Sequence, residues 1–141
     1  MFVLDSDTYT HYLLDRPTVV AKMAQAKARR DQVAVTVITK IELFQGRMSA
    51  LLKADTHARS FSAQQHLIAS ETALQSIRIL LLDIAALEHF DDLKRTKGLK
   101  KIGRADLLIA GIVRSLNATL VTRNQRHFQL IPRLQLINWV D

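Results

Sequence analysis

Residues 102–122, IGRADLLIAGIVRSLNATLVT, decide the fold. Leu108, Ile109, Ile112 and Val113 recur at helical spacing and predict a helix over 105–116 with one apolar face. Ala118–Thr122, rich in β-branched residues, then predicts a strand. The same alternation continues outward in both directions. Upstream, the apolar-rich IRILLL of Ile77–Leu82 is expected to be a strand covered on both faces. A helix over 84–96 and the basic loop RTKGLKKIG follow it. Residues 54–76 are expected to be helical. Val33–Thr36 predicts a strand, leading into a helix through Ile38, Ile41 and Leu43 towards Gly46. Phe2–Leu4 predicts a short buried strand ending at Asp5, and Pro17 suits the first turn of a helix carried on by Val19, Val20, Met23 and Ala24. Downstream, Leu134–Asn138 predicts a last short strand. Strands alternating with helices imply an α/β fold, a three-layer α/β/α sandwich around a mostly parallel sheet.

A chain of 141 residues is long enough for one hydrophobic core without disulfides or structural metal, and a single domain over 1–141 is expected. Neither linker nor internal repeat is visible. The absence of cysteine excludes disulfides, zinc–thiolate sites and thiol catalysis. No segment approaches the ~20 apolar residues of a membrane-spanning helix. The start, MFVLDSDTYT, lacks the features of a secretory signal, so a cytoplasmic protein without membrane contact is expected. With 20 Lys+Arg against 13 Asp+Glu, the net charge of +7 favours nucleic acid, an anionic membrane or an acidic protein as partner. A solvated basic surface is the plain alternative.

Against that basic background three acids stand where such a fold delivers side chains to one place. Asp5 follows the first strand, Glu42 lies in the first turns of the helix after the second, and Asp106 opens the helix before the fourth. Open α/β sheets gather functional groups at the carboxyl ends of their strands. Grouped carboxylates repel, and a bound Mg2+ or Mn2+, which takes hard oxygen ligands, offsets that repulsion. Such an ion can lower the pKa of a bound water and stabilise charge building on a phosphodiester. Lys97, Lys100, Lys101 and Arg104 before Asp106, and Arg123 and Arg126 around Asn124, would hold the remaining phosphates. Taken singly, each acid has a simpler reading. Asp5 can cap a helix, Thr39-x-x-Glu42 matches a capping box, and Asp106 can complement a helix dipole.

With their flanks, these residues resemble a known family. LDSDT around Asp5, VTVITKIELFQG around Glu42, IGRADLLIAGIV around Asp106 and the closing ATLVTRNQRHFQLIPRLQLINW resemble, in order, the four conserved segments of PIN-domain ribonucleases, specifically the VapC-type toxins of bacterial toxin–antitoxin pairs. The resemblance implies a metal-dependent endoribonuclease acting on RNA. It implies Asp5, Glu42 and Asp106 as ligands of Mg2+ or Mn2+, and a cognate antitoxin that holds the enzyme inactive. A homodimer, or a larger toxin–antitoxin assembly, is also implied. Many members carry a fourth acid where Asn124 stands here, which puts a second ion in doubt. Asn124 and Thr122 are auxiliary candidates for the ligand shell, a buried strand threonine being an equal account of Thr122.

Two other classes compete with this reading. A catalytically silent RNA-binding or scaffold PIN domain is left open by Asn124. A phosphoacceptor receiver domain lacks its required aspartate after VAVT. The five histidines, His11, His57, His66, His89 and His127, show no metal-binding pair, and His127 beside Arg126 is the best placed to touch RNA. Trp139 is expected to pack the terminal strand, Tyr12 and Phe44 to be core or dimer contacts, and Lys22–Arg30 to be a solvated helix edge.

Overall fold

The computed structural model describes residues 1–141. Its strands are β1 (Phe2–Leu4), β2 (Val33–Thr36), β3 (Arg78–Leu80), β4 (Thr119–Val121) and β5 (Gln135–Ile137). Its helices are α1 (Ser6–Leu13), α2 (Pro17–Ala28), α3 (Val37–Lys53), α4 (His57–Leu74), α5 (Ile84–Arg95), α6 (Arg104–Ser115) and the four-residue α7 (Gln125–Phe128). The strands form one sheet in the order β3-β2-β1-β4-β5, and every neighbouring pair is parallel.

Strand periodicity builds the layers. Successive side chains point to opposite faces of a sheet. Val3, Ala34, Leu80 and Leu120 accordingly enter one buried cluster with α5 and α6 residues such as Phe90, Leu93, Ile109, Ile112 and Val113. Their chain neighbours Leu4, Val35 and Val121 enter another with Tyr9, Ala26, Leu43, Leu74 and Trp139. Trp139 sets its ring 5.1 Å from Phe2, packing the chain end as expected. Tyr12 and Phe44 pack against the same cluster. The α5–α6 contact is close: a Cβ at Gly111 would meet the Ala86 carbonyl oxygen at 2.7 Å, so this position has no room for a side chain.

Several elements differ from the sequence reading. Helix α1 begins directly after Asp5, although SDTYTHYL has no clear apolar stripe; Asp5 starts it by accepting the Thr8 N–H. Helix α3 runs through Gly46 to Lys53, because packing against α4 outweighs the ~1 kcal/mol that one helical glycine costs. The third strand is shorter than 77–82. β3 is an edge paired only with β2; Leu80 enters the first cluster and Ile79 packs against the second, while Arg78 is exposed and Leu81, beyond the strand, is 67% exposed. No helix is long and apolar enough to cross a membrane.

The strand order fixes where a site can form. From β1 the chain moves outward through β2 to β3, then returns across the sheet to β4 on the other side of β1. The direction of winding therefore switches between β1 and β4. The crevice outside the carboxyl ends of those two strands is where such sheets bind ligands. Asp5 and Thr122 are the residues that immediately follow them.

Candidate active site

Asp5 is buried at 7% exposure and does two things at once. Its Oδ1 accepts the Thr8 N–H at 2.8 Å, so the helix-cap reading holds for one oxygen. Its own N–H donates to the Val121 carbonyl at 3.1 Å, which ties the end of β1 to that of β4. The Thr8 hydroxyl donates to the same Val121 carbonyl at 3.1 Å. Burial pushes the Asp5 carboxyl above its usual range. The Thr122 hydroxyl and the Thr8 N–H and hydroxyl oppose that shift, and the charge of Asp7 adds to it.

Glu42 is not a capping residue. The N-cap of α3 is Thr36, whose hydroxyl oxygen accepts the Thr39 N–H at 3.0 Å. The helix thus starts three residues before the Thr39-x-x-Glu42 box would place it. Glu42 lies in the second turn and accepts the Ser6 hydroxyl at 2.8 Å. Its carboxyl is also pushed up, first by burial and then by the charges of Asp106 and Asp5, against the Ser6 hydrogen bond. That mutual repulsion is the electrostatic mark of acids from β1, α3 and α6 meeting at one mouth.

Asp106 lies in the first turn of α6, whose N-cap is Gly103 without a side-chain cap. Its Oδ2 is 2.9 Å from His127 Nε2. The two groups stand at ion-pair distance, although the ring nitrogen is not aligned on the oxygen for a hydrogen bond. No three His, Asp or Glu side chains close into a compact ligand cluster. The acids share a mouth, with Asp106 turned towards His127.

The remaining predicted residues divide. Thr122 is fully buried at the end of β4, beside Asp5. Its hydroxyl oxygen accepts the Asn124 N–H at 3.0 Å. Asn124 itself is exposed, its side chain does not cap α7, and it makes no hydrogen bond to any of the three acids. Lys97, Lys100 and Lys101 point outward from a loop pinned by buried Leu99 and Ile102. Exposed Arg104 stacks on the Phe90 ring at 4.8 Å, and Arg123 pairs with Asp141 at 3.4 Å. Arg126 is exposed. Sequence reasoning missed Ser6, which directly follows Asp5 and whose role depends on α1. It placed His127 as a residue able to touch RNA but not as the neighbour of Asp106.

Comparison with known proteins identifies the fold. The PIN domain model matches residues 2–134. Ribonuclease VapC1 of Haemophilus influenzae is 27% identical over 141 residues, covering 99% of this chain and 98% of that protein. The tRNA(fMet)-specific endonuclease VapC of Salmonella typhimurium is 24% identical over 140 residues, covering 98% and 97%. The crystal structure of VapBC2 from Rickettsia felis bound to a DNA fragment from their promoter superposes with a TM-score of 0.78 at 26% identity, covering 98% of each chain. A family match of that extent, on a sheet whose winding switches where the acids meet, makes this chain a member of the PIN-domain family.

Proposed function

We propose that residues 1–141 form a single PIN domain acting as a cytoplasmic endoribonuclease toxin, dependent on Mg2+ or Mn2+ and held inactive by a cognate antitoxin. The observation that carries the reading is the approach of Asp5, Glu42 and Asp106 to one strand-end mouth, where burial first, and then the charges of Asp106 and Asp5, disfavour the Glu42 anion. The relatives support it, being a ribonuclease, a tRNA(fMet)-specific endonuclease and a toxin–antitoxin complex on DNA. A homodimer, or a larger complex with antitoxin, completes the proposal.

The donor chemistry fits a hard divalent ion: three carboxylates, two of them held above their usual pKa range by confinement that a cation would relieve. Because they do not close into a compact cluster, some would act through bridging water. When bound, the ion supplies a water of lowered pKa and neutralises charge on the phosphodiester. The chain's own residues do the positioning. Ser6 fixes the Glu42 carboxylate, and Thr8 fixes that of Asp5. The attacking water would add to phosphorus as the P–O bond to the leaving nucleotide breaks, the proton lost by the water being balanced by one taken up by the leaving oxygen. Lys97, Lys100, Lys101, Arg104, Arg123 and Arg126 hold flanking phosphates, a contribution that weakens with salt.

The test is incubation of the purified protein with total RNA, in Mg2+ or Mn2+ and in EDTA, beside Asp5→Asn, Glu42→Gln and Asp106→Asn. Discrete fragments are expected that need the ion and disappear in each variant. Equal cleavage by all four proteins would sink the proposal, and absence of both cleavage and metal binding would favour a silent RNA-binding module.

A further inference from the structure

We propose that the cavity enclosed by α1, α2, the end of α4 and the first residues of β2 and β3 binds a small aromatic carboxylate. The cavity measures 330 Å3, at the small end of the roughly 300–1,000 Å3 of pockets that take organic ligands. Val33 and Arg78 place it at the amino ends of β2 and β3, whereas the acids stand at carboxyl ends. The proposal therefore does not depend on how the acidic mouth is read.

The first observation is a hydroxyl without a partner. Tyr9 is 1% exposed, yet it lines this cavity. Its hydroxyl makes no hydrogen bond within the protein, and it is not one of the unpaired polar atoms sealed from solvent. The little surface that Tyr9 keeps thus includes the hydroxyl and opens on the cavity. Burial, with Tyr12 beside it, pushes the phenol up to about 12, so at neutral pH it is an O–H with a hydrogen bond to give. A buried donor is costly unless something accepts from it.

The second observation is the chemistry of the walls and rim. The Tyr9 and Tyr12 rings stack with centroids 6.1 Å apart, and with Met23 and Ile77 they give a surface suited to an aromatic body. Lys27 and Arg78 stand at the rim beside one acid, Asp31. Neither cation is neutralised. Arg78 donates to the Gln32 amide oxygen at 3.1 Å, and no ion pair joins Asp31 to either cation. An apolar interior under two unpaired cations, with one positive charge in excess, favours a monoanion with an apolar body. A carboxylate meets Arg78 and Lys27, the ring lies against Tyr12 and Met23, and Tyr9 supplies the buried donor.

The experiment uses the full chain and three carboxylates, benzoate, 4-hydroxyphenylacetate and indole-3-carboxylate, each beside its neutral carboxamide. Affinity is measured by calorimetry and by amide chemical shifts of 15N-labelled protein. At least one carboxylate is expected to bind a single site tighter than about 1 mM and to shift amides of α1, the end of α2 and residues 73–78. Its carboxamide should bind about tenfold more weakly, the charge-assisted hydrogen bonds being lost. Arg78→Gln and Lys27→Gln should each reduce that preference. Tyr9→Phe should weaken binding by about 3- to 10-fold, the worth of one hydrogen bond. Ala73→Phe should fill the cavity and abolish binding. Tyr9→Phe removes only a hydroxyl without a protein partner, and Arg78→Gln changes an exposed side chain, so the answer does not rest on Ala73→Phe folding. Absence of binding by all three carboxylates would overturn the proposal and leave the Tyr9 hydroxyl to water. Equal affinity for carboxylates and carboxamides, or binding unchanged in Tyr9→Phe and Arg78→Gln, would overturn it as well.

Discussion

Asp5 and Glu42, on one side of the mouth, are each tied at 2.8 Å to a donor from α1, whereas Asp106, on the other, has only the unaligned 2.9 Å approach of His127. The first pair is set before any ligand arrives, because α1 starts on Asp5 and places both Ser6 and Thr8. The second pair is set by how α6 seats on α5 and how α7 follows β4, with no hydrogen bond between its members. A carboxylate fixed by N–H and O–H donors keeps one geometry, and an untied one can turn towards an ion. On the proposed reading, the α1 side is preorganised and Asp106 completes the site from the α6 side.

The largest effect should come from removing charge on either side. Asp5→Asn and Asp106→Asn should each reduce RNA cleavage by about 100-fold or more, the scale on which one electrostatic stabiliser of a transition state is felt. Near-normal cleavage by Asp106→Asn alone, read by gel under single-turnover conditions, would confine the chemistry to the α1 side. Next, Gly111→Ala should destabilise the fold by about 1–3 kcal/mol, since its Cβ would meet the Ala86 carbonyl oxygen at 2.7 Å and push α6 away from α5. Urea denaturation measures this, and an unchanged midpoint would mean that α6 is not tightly seated.

A smaller effect is expected at Ser6. Ser6→Ala removes the only hydrogen bond that favours the Glu42 anion, worth about tenfold in cleavage at neutral pH. The acid limb of the pH–rate profile should move upward, and an unmoved limb would separate Glu42 from the titrating step. The smallest effect concerns stability. Burial raises the carboxyls of Asp5 and Glu42 above their ordinary values of 3.8 and 4.5, so the folded protein holds those protons more tightly than the unfolded chain. Stability of the ion-free protein should therefore fall as pH rises from those ordinary values through the raised ones. Asp5→Asn, which keeps a good N-cap, should melt about 2–4 °C higher than wild type at neutral pH without divalent ions. A lower melting temperature would mean that the Asp5 anion stabilises the fold and that no repulsion is stored there.

The same contrast separates what was legible in the sequence from what was not. β1, β2 and β4 could be read because each is a short apolar run ending at a polar residue, and so the positions of Asp5 and Thr122 at strand ends followed. Asp106 followed from the apolar face of α6. Position-dependent contacts were out of reach. The Ser6–Glu42 hydrogen bond needs α1, a helix without an apolar stripe, and it needs Thr36 to cap α3 in place of Thr39. The extent of IRILLL was overestimated because an apolar run does not reveal whether it lies at the sheet edge, where Leu81 is left 67% exposed. The sequence singles out His127 as a residue able to touch RNA, but its approach to Asp106 depends on how the four-residue α7 follows β4, which no periodicity reveals.

The most direct test of a single ion held between the two sides is anomalous scattering from crystals of this protein containing Mn2+. The account predicts one strong peak at the strand-end mouth, in contact with Asp106 and with Asp5 or Glu42, directly or through one water. Peaks confined to surface carboxylates such as Asp55 or Asp91, with the mouth empty at saturating Mn2+, would contradict it.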